Sequence, residues 1–578
     1  ISPLSFLSSY LVNKNFIIYV FTAFLMECLN KYRSTKSSID KQIYLNKQIK
    51  YKTICTQSKE LYYQQLSSKL NFINDSKQWW KFAREVRGQN YQVGTNISAT
   101  EFKEYFTILL NPPQTSQEFH YAPMLVKDDT LDHPITLCEL KLILKNSKLN
   151  KAPGEDGIPY EFIINATEEF QNNLVKSYNK MYNDCKIDDV FCKTIVFPIF
   201  KKGDPNMPEN YRGISFMNCI AKVMMGILNK RLYDWVEDND VLTEYQAGFR
   251  KKYSTIDNIY NLAGIVNIKL AEKKKVYAFF VDFKAAFDKI ARKSLIYKLY
   301  SIGISYKFVK IIEAIYTDTK SAVWNGEELS EYFQTNSGVK QGCLLSPLLF
   351  SLYINDLHDN LGGGMNIDNI NIRLLMYADD IVILADEVGT LQKMIDNLEV
   401  YCDLWNLEVN LSKSEILIFR NGGRLKSQEK WTFRGNYINI TNQYTYLGVI
   451  LTPKMKFSKH VEKRNKQAKT AINSTWKTFL SNEHIQLRQK WNLFLAVCRS
   501  IQAYASQVWG FGHFEEIDKL QRYFMKKILK LPENTPNYAL MLETGAVNNH
   551  LYTLELHLQY ITRVLYQYHP NRLTSQIN

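Results

Sequence analysis

The segment RLLMYADDIVILA, from Arg373 to Ala385, decides how the rest of this chain is interpreted. Two adjacent acids, Asp379 and Asp380, lie between two short apolar runs, and this pattern predicts a strand, a tight turn and a returning strand. Like charges on neighbouring residues repel, so the pair needs water or a cation to neutralise it. The segment alone therefore indicates either a metal site at the tip of a β-hairpin or a solvated turn, in which Asp is common.

A third acid in a similar setting favours the metal site. The apolar run YAFFV, from Tyr277 to Val281, is too short for a helix, predicts a buried strand and is followed by Asp282. The next segment, FKAAFDKIARKSLIYKLYSIG, predicts an amphipathic helix with Phe287 and Leu295 on its apolar stripe. Three carboxylates at the ends of neighbouring strands would offer oxygen ligands to two divalent cations about 4 Å apart, an arrangement that catalyses phosphoryl displacement.

These motifs resemble those of a known family. The segments FFVDFKAAFD, SGVKQGCLLSPLLFSLYIND and MYADD are similar to the central motifs of reverse transcriptases from non-LTR (LINE-type) retrotransposons. Further similar segments follow the family's order: KAPGEDGIPYEFI, TIVFPIFKKGDPNMPENYRGIS, LTEYQAGFRKKYST, LEVNLSKSE and YLG. The resemblance implies an RNA-directed DNA polymerase that transfers nucleotides from dNTPs to a primer 3′-hydroxyl. It also implies two Mg²⁺ ions as cofactors, with Mn²⁺ as the alternative ion.

Catalytic residues follow from the resemblance position by position. Asp282, Asp379 and Asp380 match the catalytic acids and metal ligands of the family. The carbonyl of Phe283 is expected to be an auxiliary ligand and Asp380 the weaker of the three acids. Lys413, in the segment NLSKSE, matches a lysine that would lie near the triphosphate and protonate the leaving pyrophosphate.

Other contacts to the nucleotide are expected from three segments. Lys201 and Arg212 lie on two predicted strands of one hairpin and match residues that grip the phosphates, with Lys202 as the alternative to Lys201. Phe287 matches the aromatic residue that excludes a 2′-hydroxyl, although an aromatic residue on the apolar face of a helix is more often core.

Backbone contacts to the substrates are expected from two glycine-containing turns. Gln341 and Gly342, in the segment SGVKQG, match nucleotide and template contacts of the family. The resemblance assigns the primer grip, the hairpin that holds the primer end, to the segment Tyr446, Leu447 and Gly448.

The predicted fold is α+β: a right-hand polymerase with fingers, a palm built on an antiparallel sheet, a helical thumb, and helical N- and C-terminal extensions. We predict the following boundaries: an apolar segment at 1–33, a basic and mostly helical extension at 34–140, fingers and palm at 141–451 with the core at 182–451, a helical thumb at 452–530, and a truncated C-terminal tail at 531–578. No endonuclease motif precedes the polymerase motifs, so the resemblance implies a fragment that lacks the endonuclease domain.

Composition agrees with nucleic-acid partners. The 72 Lys and Arg residues exceed the 57 Asp and Glu residues by a formal charge of +15, and aromatic residues make up 13% of the chain. Basic charge neutralises phosphates and flat rings stack on bases, which suits template RNA and a DNA primer. The nine cysteines form neither a zinc knuckle nor a secreted disulfide pattern. By family resemblance we expect an intracellular protein of the cytoplasm and nucleus, and its oligomeric state stays open.

Two further possibilities stay open from the sequence. The apolar run from Phe16 to Leu29 spans 14 residues, short of the about 20 that cross a bilayer, so we expect no membrane partner. This run is either a buried helix or sequence from outside the true reading frame.

The rival functions are an RNA-copying RNA polymerase, against which Phe287 argues, and a catalytically silent retroelement relic that only binds RNA.

Overall fold

The computed structural model describes residues 15–70, 72–73, 75–87, 96–113, 125–368 and 370–577. The chain forms two compact units, one from the described parts of Ile1–Gln92 and Phe457–Ile561, the other from those of Val93–Lys456 and Thr562–Asn578. We call them the helical unit and the sheet unit. Residues 1–14 of the predicted apolar segment lie outside the described residues.

The helical unit joins residues that are distant in sequence around one core. Its helices are Asn15–Thr35, Ser38–Leu70, Ser76–Arg87, Ser458–Thr475, Leu487–Leu493, Ser500–Gln502, Ser506–Trp509, Glu515–Ile528, Asn537–Thr544 and Asn549–Tyr566, with π-helical turns at Trp476–Leu480 and Phe494–Arg499. The helix Asn549–Tyr566 continues past Ile561, the boundary of this unit. Trp79 is fully buried, and its ring centroid lies 4.9 Å from that of Phe479. The core therefore depends on both the N-terminal helices and those beyond Phe457.

In the first described helix, none of the side chains from residue 21 to residue 35 is buried. Its side chains include Phe24 and Met26, which are 48% and 52% exposed. The possibility of a buried helix is therefore wrong for these residues. Among the described helices, none is long and apolar enough to cross a membrane.

The sheet unit combines helices with two main sheets. Its helices are Ala99–Leu110, Asp129–Asp132, Leu137–Asn146, Tyr160–Ile164, Glu168–Asp184, Asp189–Cys192, Cys219–Asp238, Thr255–Ala271, Arg292–Ser301, Tyr306–Tyr316, Ser346–Tyr353, Leu357–Asn360, Val388–Leu404 and Leu573–Ile577, with a 3₁₀ turn at Pro208–Asn210. Its strands are β1 Lys193–Phe200, β2 Tyr211–Phe216, β3 Val276–Val281, β4 Lys320–Val323, β5 Phe333–Gln334, β6 Met365–Ile367, β7 Ile370–Ile372, β8 Leu374–Tyr377, β9 Asp380–Ala385, β10 Glu415–Phe419, β11 Thr432–Phe433, β12 Asn436–Tyr437, β13 Asn439–Thr441, β14 Tyr444–Tyr446 and β15 Val449–Leu451.

The larger of the two sheets has the strand order β13-β10-β3-β9-β8. The central strand β3 pairs antiparallel with β9 on one side and with β10 on the other, and all six of its residues are buried. An uninterrupted apolar run suits such a strand because both of its faces are covered. The predicted α+β class is confirmed, and the predicted hairpin is formed by β8 and β9.

One predicted helix begins later than the sequence indicates. The amphipathic pattern predicts a helix from Phe283 onward, but the helix begins at Arg292. Ala285 adopts a left-handed φ of +48°, which turns the chain away from a helical path. The carbonyl of Phe287 accepts the N–H of Val339 at 2.9 Å, so a separate loop takes the place of the helical partner. Phe287 therefore lies on a turn.

The last helix of the chain packs inside the sheet unit. Leu573–Ile577 contacts the helix Thr255–Ala271. Just before it, the Arg572 guanidinium lies 3.0 Å from Asp257, and only 7% and 2% of these two side chains are exposed. The carbonyl of Lys252 accepts a further hydrogen bond from Arg572, although the two residues are 320 positions apart. Two segments that are distant in sequence thus close one buried ion pair.

Candidate active site

The three predicted catalytic acids lie together at one end of the central sheet. Asp282 follows the last residue of β3, and Asp380 is the first residue of β9. In these antiparallel strands Val281 pairs with Ile381, so the end of β3 lies beside the start of β9. Asp379 occupies the turn between β8 and β9. The topology therefore brings a single acid and a distant acid pair to the same place.

The acids influence one another electrostatically. Desolvation by the surrounding protein, together with the charges of Asp379 and Asp282, raises the pKa of Asp380 to about 6, although Asp380 keeps an exposed surface. Burial also raises the pKa of Asp379; the charge of Asp282 adds to this effect, and the charges of Arg212 and Lys201 oppose it. A divalent cation stabilises such a group, and carboxylate oxygens are ligands that Mg²⁺ and Mn²⁺ prefer. The donor set therefore fits a divalent metal site.

Lys413 lies against this acid cluster. Its Nζ is 3.4 Å from Oδ2 of Asp282, and both side chains are partly exposed. The loop that carries Lys413 is attached to the end of β3, because the Asp282 N–H donates to Oγ of Ser414 at 3.0 Å. The Asp282 carbonyl also accepts the N–H of Asn410 at 2.8 Å. These bonds hold an ammonium group beside the acids.

The predicted phosphate-binding residues lie on a hairpin that faces the same cluster. Ile199 of β1 pairs with Arg212 of β2, and the Lys201 N–H donates to the carbonyl of Asn210 at 2.9 Å. Burial and the positive charges of Arg212 and Lys413 lower the pKa of Lys201, while Asp282 opposes this change. Three cations thus act on one another and on the acids. Such a mixed site suits a ligand that carries both phosphates and a metal ion.

Gln341 and Gly342 lie in a loop that is bonded to β2. The carbonyl of Gln341 accepts the N–H of Ser215 at 2.7 Å. Gly342 has φ +114°, and a Cβ there would lie 2.8 Å from the carbonyl oxygen of Ser215, so glycine allows the close approach. Sequence reasoning missed Asp288, whose Oδ2 accepts the Gln341 Nε2–H at 2.6 Å. The Gln341 amide therefore has a fixed orientation.

Phe287 has both a structural and an accessible side. Its ring stacks on Phe350 with centroids 4.6 Å apart and planes at 19°, which anchors it to the core. Phe249 contacts it edge-on at 6.3 Å and 87°. Phe249 is 50% exposed and has a left-handed φ of +61°, which is uncommon for a bulky residue. The sequence motif QAGF includes Phe249, but nothing in its spacing indicates this contact.

The remaining predicted residues occupy a short hairpin and a strand end. Tyr446 closes β14 and is 3% exposed, with its ring 5.4 Å from Phe280. Leu447 and Gly448 form the turn to β15, both with positive φ. The Tyr446 ring is therefore buried, whereas Leu447 is partly exposed and Gly448 is exposed. Phe283 buries its ring and forms an isolated β-bridge with Val409.

Known proteins resemble this chain in the part that carries the acids and the basic hairpin. The family model described as "Reverse transcriptase (RNA-dependent DNA polymerase)" matches residues 199–451. The "RNA-directed DNA polymerase from mobile element jockey" of Drosophila funebris is 24% identical over 69% of this chain and 44% of its own length. The "Probable RNA-directed DNA polymerase from transposon BS" of Drosophila melanogaster is 25% identical over 69% of this chain and 45% of its own length. The chain thus spans about half the length of these curated relatives.

A solved telomerase structure from Candida tropicalis, in complex with a fragment of telomeric RNA, is 14% identical with a TM-score of 0.38 and covers 71% of this chain and 68% of that one. The match over 199–451, together with the sheet that carries the acids, agrees with the right-hand polymerase fold expected from the sequence.

Proposed function

Because residues 199–451 form a reverse transcriptase domain similar to those of non-LTR retrotransposons, we propose that this chain is an RNA-directed DNA polymerase. One observation carries the proposal: within the matched residues, three carboxylates meet at the end of one sheet beside Lys201 and Arg212. A primer 3′-hydroxyl would attack the α-phosphate of a dNTP, and pyrophosphate would leave. The substrates are therefore a template RNA, a DNA primer and dNTPs.

The acids would hold the metal ions. Asp282 and Asp379 would be the principal ligands, the Phe283 carbonyl an auxiliary ligand, and Asp380 the weaker partner. Two Mg²⁺ ions, or Mn²⁺ in their place, would supply charge neutralisation at the attacking and leaving oxygens. The raised pKa values of Asp380 and Asp379 support this assignment, because burial and the neighbouring acid charges both disfavour an unneutralised carboxylate, and a bound cation would neutralise it.

The basic residues would bind and stabilise the leaving phosphates. Lys201 and Arg212 project from the β1–β2 hairpin, where an ammonium point charge and a forked guanidinium complement a triphosphate. Lys413 would donate a proton to the departing pyrophosphate. Its 3.4 Å contact with Asp282 supports this role, because the contact holds the ammonium group within reach of a metal-bound triphosphate. Positioning and charge neutralisation would provide most of the rate enhancement.

Sugar and base selection would come from residues fixed by the core. The Phe287 ring is anchored on Phe350, so it has little freedom to yield to a 2′-hydroxyl. Gln341 is oriented by Asp288 and would meet the nucleotide, with Gly342 allowing close backbone approach. The turn of the β14–β15 hairpin, at residues 447–448, would support the primer end together with the buried Tyr446.

A nucleic-acid duplex would also contact basic residues of the predicted thumb. The helix Ser458–Thr475 begins the predicted thumb at 452–530 and carries exposed basic residues. Side chains of this kind contact the phosphate backbone and not the bases. We therefore assign template and primer contacts to this segment.

Primer extension tests the proposal directly. The purified chain is incubated with a primed RNA template, Mg²⁺ and dNTPs, beside Asp379→Ala and the control Asp396→Ala, in which the altered acid is exposed on the helix Val388–Leu404. We expect extension by the wild type and by Asp396→Ala, and none by Asp379→Ala. RNA binding without extension by the wild type would favour the silent relic. Faster extension with ribonucleotides than with dNTPs would favour an RNA polymerase.

A further inference from the structure

The turn that carries Asp379 is supported by a short segment that lies beside β8. The segment Tyr245–Ala247 lies along the free edge of β8, because the Met376 N–H donates to the Tyr245 carbonyl at 2.8 Å and the Ala247 N–H donates to the Met376 carbonyl at 2.9 Å. Gln246 pairs with Met376 as an isolated parallel bridge. These bonds extend the catalytic sheet by one short strand, beside the hairpin of β8 and β9.

Gln246 reaches from this segment into the catalytic turn. Its side chain is 0% exposed, and Oε1 accepts the Ala378 N–H at 2.9 Å and the Gly248 N–H at 2.8 Å. Among the described residues, its Nε2 has no hydrogen-bond partner. A buried amide with an unpaired donor destabilises the folded state. The two hydrogen bonds accepted by its oxygen are therefore the interactions that favour Gln246 at this position.

The point that Gln246 holds is conformationally strained. Ala378 directly precedes Asp379 and has a left-handed φ of +56°, which is unfavourable for a residue with a Cβ. Gly248 approaches so closely that a Cβ on it would lie 2.2 Å from the Ala378 backbone nitrogen. A residue other than glycine keeps such a left-handed conformation only where contacts with its surroundings hold it there. Here the determining contact is the bond from Ala378 to Gln246.

We propose that Gln246 is a positioning residue, which fixes the strained turn at Ala378 and thereby aims the Asp379 carboxylate at the metal site. The inference deepens the proposed polymerase function and rests on it. Gln246 touches neither substrate nor metal, and it acts through the backbone of the residue before the acid. Loss of its oxygen would let the turn relax, and Asp379 would bind the metal less tightly.

A matched pair of variants separates positioning from general stability. Gln246→Met removes the acceptor at similar side-chain length. Asn258→Leu removes another buried amide, which is 2% exposed and donates to the Met376 carbonyl at 2.9 Å, on the same strand but not in the turn. Gln246→Asn keeps the amide and shortens its reach, and this variant carries the test if Gln246→Met does not fold. Circular dichroism establishes that each variant is folded.

The first measurement is Mn²⁺ binding to the full chain by electron paramagnetic resonance, with Asp379→Ala as the ligand-deficient reference. We expect Gln246→Met to weaken Mn²⁺ binding about 10-fold, as loss of an orienting contact does in other metal sites, and Asn258→Leu to change it less than about twofold. Equal Mn²⁺ affinity in Gln246→Met and the wild type, or equal weakening by Asn258→Leu, would overturn the proposal.

The second measurement is primer extension as a function of Mg²⁺ concentration. In Gln246→Met the half-saturating Mg²⁺ should rise by about the same factor, with excess Mg²⁺ restoring much of the rate and with unchanged affinity for primed template. A lower rate at every Mg²⁺ concentration, with unchanged half-saturation, would indicate mere loss of folded protein and overturn the proposal. If the wild type binds Mn²⁺ and extends no primer, the proposed function fails, whereas the Mn²⁺ comparison still decides the role of Gln246.

Discussion

We expect Asp288→Asn to stabilise the protein near neutral pH. Burial raises the pKa of the Asp288 carboxyl group to about 6, compared with an ordinary value of 3.8. Because the pKa is higher in the folded than in the unfolded chain, this group begins to lower stability as the pH rises above the ordinary value of 3.8, and the full penalty applies above about pH 6. The penalty shrinks as the pH falls and disappears once the group is protonated in both states. Asparagine has no charge and carries no such penalty at any pH.

The size of the effect follows from the two pKa values. A difference of about 2 units corresponds to at most about 3 kcal/mol at pH 7.5, and the same relation leaves about 1 kcal/mol at pH 4.5. The first figure is a ceiling because the side chain is only partly buried. Asn keeps an oxygen that can accept the Gln341 Nε2–H, which Asp288 accepts at 2.6 Å, so no hydrogen bond is lost to offset the gain.

Differential scanning calorimetry of the wild type and Asp288→Asn, at pH 7.5 and pH 4.5, measures this gain. The midpoint of the affected transition should rise by roughly 5 °C at pH 7.5 and by much less at pH 4.5. Asp288→Leu is the matched control, because it removes the charge and also the acceptor for Gln341. It should stabilise less than Asn. Destabilisation by Asn at pH 7.5, or an equal gain at both pH values, would refute the reasoning.

Three further predictions concern activity. Below about pH 6.5 primer extension should require more Mg²⁺, because Asp380, with a pKa raised to about 6, must lose its proton to bind the ion. A half-saturating Mg²⁺ concentration that does not change between pH 8 and pH 6 would contradict this prediction. In steady-state kinetics, Lys201→Ala should raise the KM for dNTP about 10-fold and change kcat less, whereas Lys202→Ala should change both little. The opposite pattern would show that Lys202 binds the phosphates. Phe287→Ala should increase ribonucleotide incorporation relative to dNTP by about 10-fold in competition assays, and an unchanged ratio at normal folding would assign the ring to the core alone.

Local sequence patterns were sufficient to find the strands that carry the acids. The YAFFV run predicts a strand because a strand covered on both faces needs apolar residues throughout, and all of β3 is buried. The two runs around Asp379 and Asp380 predict the hairpin of β8 and β9 for the same reason. Their mutual approach, by contrast, depends on the pairing of β3 with β9, which no local pattern encodes. The family resemblance supplied that part of the expectation.

Contacts between distant segments explain what the sequence did not show. The stretch after Phe283 has helical periodicity, yet the Phe287 carbonyl bonds to Val339, and this tertiary contact overrides the local preference. Gln246 and Asp288 look like ordinary polar residues in the sequence. Their importance comes from single atoms, an oxygen that holds the Ala378 N–H and a carboxylate that holds Gln341. Periodicity and composition carry no information about such bonds.

The buried pair of Asp257 and Arg572 has a consequence for how the chain is made. The ribosome synthesises Asp257 hundreds of residues before Arg572. Until Arg572 has been made, the Asp257 carboxylate, whose folded site is nearly free of water, has no guanidinium partner. Removing one partner of a buried pair costs about 3–5 kcal/mol, so the nascent sheet unit should remain loosely assembled until residue 572 has been synthesised. Folding of the acid-bearing sheet and synthesis of the segment around Arg572 are therefore coupled events.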